Sequence, residues 1–99
     1  MTKKELPPMN RFELLDAAKE TVADRGEDYG SIWENHERIA VIWTTLLGVQ
    51  IEPEQVAMMM VGVKLARLAA TPGHQDSWVD IAGYAATGSE CLSVRQAND

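Results

Sequence analysis

The chain has 99 residues, enough for one small domain, and its 45% hydrophobic content is ordinary for a globular protein. The formal net charge is −6 and no basic stripe occurs, so we expect no binding to nucleic acid. The single cysteine cannot form an internal disulfide, no signal peptide is recognisable and the longest apolar run is too short to span a bilayer. We therefore expect a cytoplasmic protein that does not associate with membranes.

The first predicted helix follows an N-terminal tail. Residues 1–9 contain paired lysines and paired prolines with little periodicity, which is typical of a flexible tail. Asn10, with Glu13 three positions later, has the pattern of a capping box and predicts the start of a helix. Leu15, Ala18 and Val22 recur on one face of it. We expect Gly26 to end this helix, because glycine tolerates the left-handed conformation that follows a C-cap.

The second predicted helix begins after the loop GEDYG. Ser31 is the expected N-cap and Glu34 completes an S-x-x-E capping box. Gly48 is expected to end the helix. The predicted buried face is apolar apart from one histidine and consists of Ile32, His36, Ile39, Ala40, Trp43 and Leu47.

The third and fourth helices are predicted on either side of the breaking sequence TPGHQ. Pro53 suits the first position of helix three, and residues 54–71 are apolar almost all round, which predicts a central helix. Asp76 is the expected N-cap of helix four. Its predicted buried stripe consists of Ile81, Ala82, Ala85, Cys91 and Leu92, and residues 94–99 are expected to form a tail. The pattern predicts one all-α domain over residues 10–93, a compact four-helix bundle that oligomerisation would complete.

Two pairs of carboxylates are candidates for a metal site. Glu34 and Glu37 are one turn apart, and Asp76 and Asp80 share a face of helix four, so both pairs have a spacing that suits a hard cation such as Mg²⁺. The alternatives are structural: Glu34 and Asp76 fit as capping residues, and Glu37 fits as a solvated or ion-paired residue.

Lys64 and Arg67 are the charged residues within the apolar part of helix three. Ion pairing to Asp80, Asp76 or Glu37 and contact with a phosphate are equally compatible with this position. His36 fits a hydrogen-bonded core histidine better than a ligand.

Aromatic and sulfur-containing residues leave further alternatives open. The three tryptophans, Trp33, Trp43 and Trp78, suggest an interface or a base-stacking surface, with core packing as the alternative. Tyr29 in the short loop is either a structural peg or a contact to a base or sugar. The run from Met58 to Met60 indicates core or interface packing.

Four stretches carry a resemblance to a known family: RGEDYGSIWENHERIA, EPEQVAMMMVGVKLARLA, HQDSW and VDIAGYA. They resemble a short family of phages and prophages that is similar to the MazG-like all-α nucleoside triphosphate pyrophosphohydrolases. The resemblance implies a helical bundle, assembly as a homodimer or homotetramer, and Mg²⁺ (or Mn²⁺) as cofactor. The family signature combines E-x-x-E on one helix with E-x-x-D on a later one. ENHE supplies the first part, whereas the later helix has Asp76 and Asp80 at i, i+4.

The resemblance implies an enzyme that cleaves (d)NTPs to the monophosphate and pyrophosphate. Glu34, Glu37 and Asp80 would be the catalytic residues, and the same three with Asp76 would hold the metal. Nucleotide-binding residues would be Lys64, Arg67, Tyr29, Asn35 and Trp33. Two alternatives are a phage protein of the same fold that sequesters a nucleotide or cyclic nucleotide without cleaving it, and a purely structural helical oligomer.

Overall fold

The computed structural model of the chain describes residues 6–28 and 31–98, apart from the side chains of residues 25–28. These residues form four helices: α1 (Arg11–Asp28), α2 (Ile32–Leu47), α3 (Pro53–Ala70) and α4 (Gln75–Asn98). No strand occurs in this part of the chain, so the predicted all-α fold of four helices is confirmed. None of the helices described here is long and apolar enough to cross a bilayer. Of the expected N-terminal tail, residues 6–9 have no regular secondary structure and residues 1–5 lie outside the described chain.

The start of α1 is set by a local capping motif. The side-chain oxygen of Asn10 accepts hydrogen bonds from the backbone N–H groups of Phe12 and Glu13 at 3.0 and 2.9 Å, and Asn10 N–H donates to Glu13 Oε1 at 3.1 Å. The predicted capping box is confirmed. The predicted end at Gly26 is wrong, because α1 continues to Asp28. A glycine inside a helix costs only about 1 kcal/mol relative to alanine, so it does not by itself end one.

The ends of α2 and the start of α3 follow the sequence signals. Ser31 Oγ accepts a hydrogen bond from Glu34 N–H at 3.0 Å, which confirms Ser31 as the N-cap. Gly48 adopts the left-handed conformation with φ 73° and donates its N–H to Thr44 O at 2.9 Å. Pro53 occupies the first turn of α3, where its missing N–H leaves no hydrogen bond unmade.

The connection between α2 and α3 is held against the core. Ile51 N–H donates to Thr44 Oγ1 at 2.9 Å, which fixes the loop on the last turns of α2. The Ile51 side chain is buried there. A core cluster forms at this point from Ala40, Ile51 and Val56, with Ile39 and Trp43 packed against it. Trp43 is therefore partly buried against the core.

α4 begins two residues earlier and ends later than the sequence predicts. It starts at Gln75, so Asp76 lies within its first turn, and the expectation that Asp76 is the N-cap is wrong. The turn before the helix is organised by His74, whose carbonyl accepts from Ser77 N–H at 3.1 Å and whose Nδ1 lies 2.8 Å from Ser77 Oγ. At the other end, residues 94–98 continue the helix where a tail was expected.

The central helix of the bundle is α4, which contacts all three other helices and packs most extensively on α3. The expectation that α3 is central is wrong, since Met58, Val63 and Leu65 of α3 are more than half exposed. α4 reaches this position because its buried face is made of small or short side chains, which let neighbouring helices approach. These buried residues are Ser77, Val79, Gly83, Thr87, Gly88 and Cys91.

Cys91 is a packing residue of this interface. Its side chain is fully buried, and burial, together with the nearby charges of Glu90 and Glu54, raises the pKa of its thiol to about 11. A thiol with this pKa carries almost no thiolate at neutral pH, and the thiolate is the reactive form. The predicted burial of Cys91 is confirmed, but the rest of the predicted stripe is wrong, because Ile81, Ala82 and Leu92 are only partly buried and Ala85 is exposed.

The C-terminal part of α4 is fixed to the first turn of α3 by an ion pair. The Arg95 guanidinium donates to both carboxylate oxygens of Glu54, with Nε at 2.9 and 3.0 Å. The Glu54 side chain is 12% exposed. Hydrogen bonding from Arg95 holds the pKa of Glu54 below its ordinary value of 4.5, against the opposing effect of burial.

This ion pair predicts a pH-dependent contribution to stability. Because the pKa of Glu54 is lowered in the folded chain, the contribution is fully present above pH 4.5 and is lost as the pH falls through the folded-state pKa. We expect Arg95→Met to lower the free energy of unfolding by about 1–2 kcal/mol at pH 7 and by progressively less below pH 4.5. Urea denaturation at a series of pH values measures this. Arg67→Met, at an exposed position, is the control. The difference between its free energy of unfolding and that of the parent should not become smaller as the pH falls.

Candidate functional site

A pocket of about 510 Å³ opens on one side of the bundle and is bordered by all four helices. Its volume lies within the range of roughly 300–1,000 Å³ that is usual for small-molecule sites. The apolar part of the wall consists of Val22, Ile32, Ile39, Val56 and Met60. The polar part consists of Thr21, Asp24, Ser31, Asn35, His36, Asp80, Tyr84 and Thr87, and Gly83 completes the lining. The combination of an apolar wall and several polar groups is typical of a ligand pocket.

The polar residues reach the pocket because of their spacing on the helices. On α4, Asp80, Tyr84 and Thr87 follow one another at i, i+4 and i+7, which places them on one face. On α2, Asn35 and His36 are adjacent, and both border the pocket. The pocket therefore lies where the polar stripe of the central helix faces the N-terminal half of α2.

His36 has an unusual position in this wall. It is 7% exposed, and its Nδ1 lies 2.9 Å from Ile32 O, a carbonyl that only accepts. Nδ1 therefore carries a proton, and in the neutral ring Nε2 is an acceptor. Among the described residues Nε2 has no hydrogen-bond partner although it is buried. A buried polar atom without a partner is unfavourable by about 1–3 kcal/mol, so a hydrogen-bond donor that reached Nε2 would stabilise the protein. The predicted core position of His36 is confirmed.

Asp80 borders the same pocket and is paired with Lys64. Lys64 Nζ lies 3.1 Å from Asp80 Oδ2, and both side chains are largely buried, with exposed fractions of 19% and 17%. Ion pairing to Asp80, one of the alternatives for Lys64, is therefore confirmed as a contact. The pair brings a cation of α3 to the edge of the pocket and offsets the charge of one carboxylate in its wall.

The candidate carboxylates lie in different surroundings. Glu34 and Glu37 are exposed on α2, whereas Asn35 and His36 between them border the pocket. Asp80 borders the pocket on α4, and Asp76 is half-buried in the first turn of the same helix. The structure thus brings Asp80 close to the segment that carries the E-x-x-E motif but leaves the two glutamates facing solvent.

If the four predicted carboxylates held one magnesium ion together, they would have to meet at one point. Within the described part of the chain, no group of three or more His, Cys, Asp and Glu residues is close enough to hold a metal ion. Glu34, Glu37, Asp76 and Asp80 therefore do not meet at one point in the described part of a single chain. Their assignment as metal ligands stays a prediction, and it requires another protein surface to pack against Glu34 and Glu37.

The remaining predicted binding residues are spread over the surface. Arg67 is exposed on α3, one turn beyond Lys64, and Trp33 is half-buried on α2 outside the pocket lining. Tyr29 lies outside the described residues. Trp78 is 46% exposed, and its indole N–H donates to Pro72 O at 3.0 Å, which fixes the ring beside the α3–α4 turn.

Sequence reasoning missed several pocket residues, namely Thr21 and Asp24 of α1 and Tyr84 and Thr87 of α4. The available signal was the i, i+4, i+7 spacing of Asp80, Tyr84 and Thr87, a polar stripe within a helix whose other residues are mostly small or apolar. No comparable signal exists in α1, where Thr21 and Asp24 follow an ordinary mixture of polar residues.

The chain belongs to the family DUF6378, a domain of unknown function, which matches residues 13–92. It is similar to the Gene 55 protein of Mycobacterium phage L5, with 49% identity over 76 residues that make up 75% of this chain and 49% of that protein. It is also similar to the Gene 55 protein of Mycobacterium phage D29, with 36% identity over 77 residues, 78% of this chain and 51% of that protein. The chain therefore spans about half the length of these relatives. No solved structure matches it significantly.

These relatives confirm the predicted membership of a phage family. The more distant likeness to MazG-like pyrophosphohydrolases stays a prediction. Nucleotide binding, Mg²⁺ binding and oligomerisation also stay predictions.

Proposed function

We propose that this chain is a nucleotide-binding protein that holds its ligand in the pocket bordered by the four helices without cleaving it. The observation that carries the proposal is the buried Nε2 of His36, an acceptor without a partner in the wall of a pocket of about 510 Å³. A ligand that donates a hydrogen bond to Nε2 removes the unfavourable burial of this atom.

The chemistry of the wall favours the base end of a nucleotide. His36 Nε2 and the carboxylate of Asp80 are acceptors, so they suit the ring N–H or amino group of a base. The apolar side chains Ile39, Val56 and Met60 offer surface for the flat faces of the ring. The phosphates belong outside the pocket, because Asp24 and Asp80 disfavour an anion within it. Lys64 and Arg67 are the cations proposed to contact them.

Thermal melting with a panel of nucleotides tests the proposal. The panel contains nucleosides, NTPs, dNTPs and cyclic nucleotides, each with Mg²⁺ and with EDTA. A ligand present at a hundredfold excess over its Kd should stabilise the fold by about 2.7 kcal/mol, which is roughly 10 °C or more in Tm for a domain of this size. Chromatography of the stabilising ligand after incubation should return it intact. If no member of the panel raises the Tm at millimolar concentration, the pocket is not a nucleotide site.

A Mg²⁺-dependent pyrophosphohydrolase is a second proposal. The observation in its favour is that Asp80 and the segment between Glu34 and Glu37 border one pocket. The two glutamates would have to meet a further surface before they could act with Asp80. Recovery of monophosphate and pyrophosphate that requires Mg²⁺ would support this function over simple binding. If the Glu37→Gln variant turns over as fast as the parent, Glu37 is not part of a catalytic metal site.

A further inference from the structure

The pocket lining contains two threonines whose hydroxyl groups are bonded to their own helices. Thr21 Oγ1 donates to Ala17 O at 3.0 Å in α1, and Thr87 Oγ1 donates to Tyr84 O at 3.3 Å in α4. Such bonds are common for a threonine within a helix, because the carbonyl one turn back lies within its reach. A hydroxyl has a single hydrogen, so each oxygen presents lone pairs to any further partner. A ligand that bonds to either oxygen therefore has to be the donor.

Three further groups of the same lining accept hydrogen bonds without donating them. The carboxylates of Asp24 and Asp80 are acceptors, and Nε2 of His36 is an acceptor because Nδ1 carries the ring proton. Together with the two threonines they form a set that we call the acceptor wall: Thr21, Asp24, His36, Asp80 and Thr87. Three of the four helices contribute to this set, so the excess of acceptors is a property of the pocket and not of one helix.

The other polar side chains of the described lining fit either kind of ligand group. They are Ser31, Asn35 and Tyr84, and each of these side chains has both a hydrogen to donate and a lone pair that accepts. Lysine, arginine and tryptophan, whose side chains donate and do not accept, do not occur among the described lining residues. The polar groups that discriminate between ligands are therefore those of the acceptor wall.

We propose that the pocket selects nucleotides whose base carries an exocyclic amino group, namely guanine, adenine and cytosine, over those of uracil, thymine and hypoxanthine. This inference rests on the proposed function and adds which bases the pocket takes. An amino group offers two N–H donors, and guanine adds the N–H of its ring. In a nucleotide of uracil or thymine, a single ring N–H lies between two carbonyl oxygens. The bases with amino groups therefore supply more donors for the acceptor wall.

The discrimination arises where a carbonyl oxygen takes the place of an amino group. Uracil has a carbonyl at the position of the cytosine amino group, so lone pairs of the base and of the wall face each other and neither group is hydrogen-bonded. A site built to bond an N–H rejects a ligand that lacks it far more strongly than an apolar pocket distinguishes sizes. Asp80 strengthens the effect, because a hydrogen bond to a charged acceptor is about twice as strong as one between neutral groups.

Isothermal titration calorimetry of the purified chain with two matched pairs of nucleotides in EDTA tests this inference. GTP and ITP differ by the amino group of guanine, and CTP and UTP differ by the exchange of an amino group for a carbonyl. Contacts to sugar and phosphates cancel within each pair. GTP should bind about tenfold or more tightly than ITP, and CTP about tenfold or more tightly than UTP. Equal Kd values within either pair overturn the selectivity and leave the proposed function standing. If none of the four binds, the proposed function itself is wrong.

Variants of the acceptor wall show whether these residues cause the preference. Asp80→Asn places an N–H₂ group where the parent has a carboxylate oxygen, so the ratio of the Kd values of UTP and CTP should fall about fivefold or more. Thr87→Val has nearly the same shape and removes one acceptor, so the ratio should fall there too. Glu90→Gln is the matched control, since Glu90 is exposed on α4 outside the lining and its loss changes the net charge as Asp80→Asn does.

The ratio should be unchanged in Glu90→Gln. Because a ratio within one variant is compared, a variant that is less stable but still helical by circular dichroism remains informative. If the ratio stays at the parent value in both Asp80→Asn and Thr87→Val, or falls equally in Glu90→Gln, the acceptor wall does not select the base and the inference is overturned.

Discussion

Replacing Gly88 with alanine should destabilise the protein by about 1–2 kcal/mol, although alanine is the better helix former. A Cβ atom at this position would lie 2.9 Å from Ala57 Cβ, closer than such atoms can approach. Both residues are buried at the contact of α3 and α4, and both atoms are attached directly to the backbone. Neither can rotate away, so the two helices must move apart and lose part of their packing. Urea denaturation monitored by circular dichroism measures the change.

Gly83→Ala in the same helix is the matched control for this effect. A Cβ atom at Gly83 would lie 3.5 Å from Val22 Cγ2, an ordinary contact distance. The substitution should therefore gain up to about 1 kcal/mol from helix propensity. Opposite signs for the two glycines are the expected result. Gly88→Ala should also cost less in an Ala57→Gly background, where the clash is absent. Equal effects of Gly83→Ala and Gly88→Ala would contradict the close approach of α3 and α4.

Replacing His36 with leucine should stabilise the unliganded protein and abolish ligand binding. Leucine removes the buried Nε2 that has no partner within the described structure, which should raise the free energy of unfolding by about 1 kcal/mol. Under the proposed function the same change deletes the acceptor for the ligand. Each 1.4 kcal/mol lost from binding is tenfold in Kd, so we expect affinity to fall about tenfold or more. Melting curves with and without the stabilising nucleotide measure both effects.

His74→Leu is the control for this substitution. His74 lies outside the pocket lining, and its Nδ1 is within 2.8 Å of the buried Ser77 Oγ. Its loss should lower the Tm and leave the nucleotide-induced shift unchanged, the reverse of the pattern at His36. A His36→Leu protein that binds the nucleotide as tightly as the parent would show that Nε2 does not contact the ligand.

The signals that predicted structure well were those that act within one turn of a helix. Asn10, Ser31 and Gly48 were placed correctly because a capping side chain or a left-handed glycine depends only on residues three or four positions away. The predictions that Asp76 caps a helix and that Gly26 ends one were wrong, because these signals are also local. Their local preferences for a cap and a helix end are weak, and the longer helices that pack in the bundle override them.

Burial was predicted less well, because it depends on which helix covers which. Leu15 lies on the apolar face predicted for the first helix and Leu47 on the predicted buried face of the second, yet they are 59% and 61% exposed. Apolarity shows that a side chain favours burial but not that a partner exists to cover it. α4 became the central helix through small residues such as Gly83 and Gly88, which a hydrophobic pattern does not register.

The candidate site was predicted in part. Asn35 and Asp80 were selected from the sequence and do border one pocket. Glu34 and Glu37 share a face of α2, as their spacing requires, but spacing cannot tell which way that face turns in the bundle. The structure turns it outward. The proposed ligand contact of His36 rests on Nε2, which has no hydrogen-bond partner among the described residues. A pattern of residue types cannot show whether one side-chain atom has a partner.

The Lys64–Asp80 pair has a consequence for the effect of salt on the pocket. The pair is largely shielded from solvent, so dissolved ions weaken it little. Asp24 at the pocket wall is exposed, as are many of the acidic residues that give the chain its charge of −6, so their repulsion of an anion is readily screened. Higher ionic strength therefore weakens this repulsion of a negatively charged ligand while leaving the Lys64–Asp80 pair largely intact. Of the two cations proposed to contact the phosphates, the exposed Arg67 is the one whose attraction salt would screen.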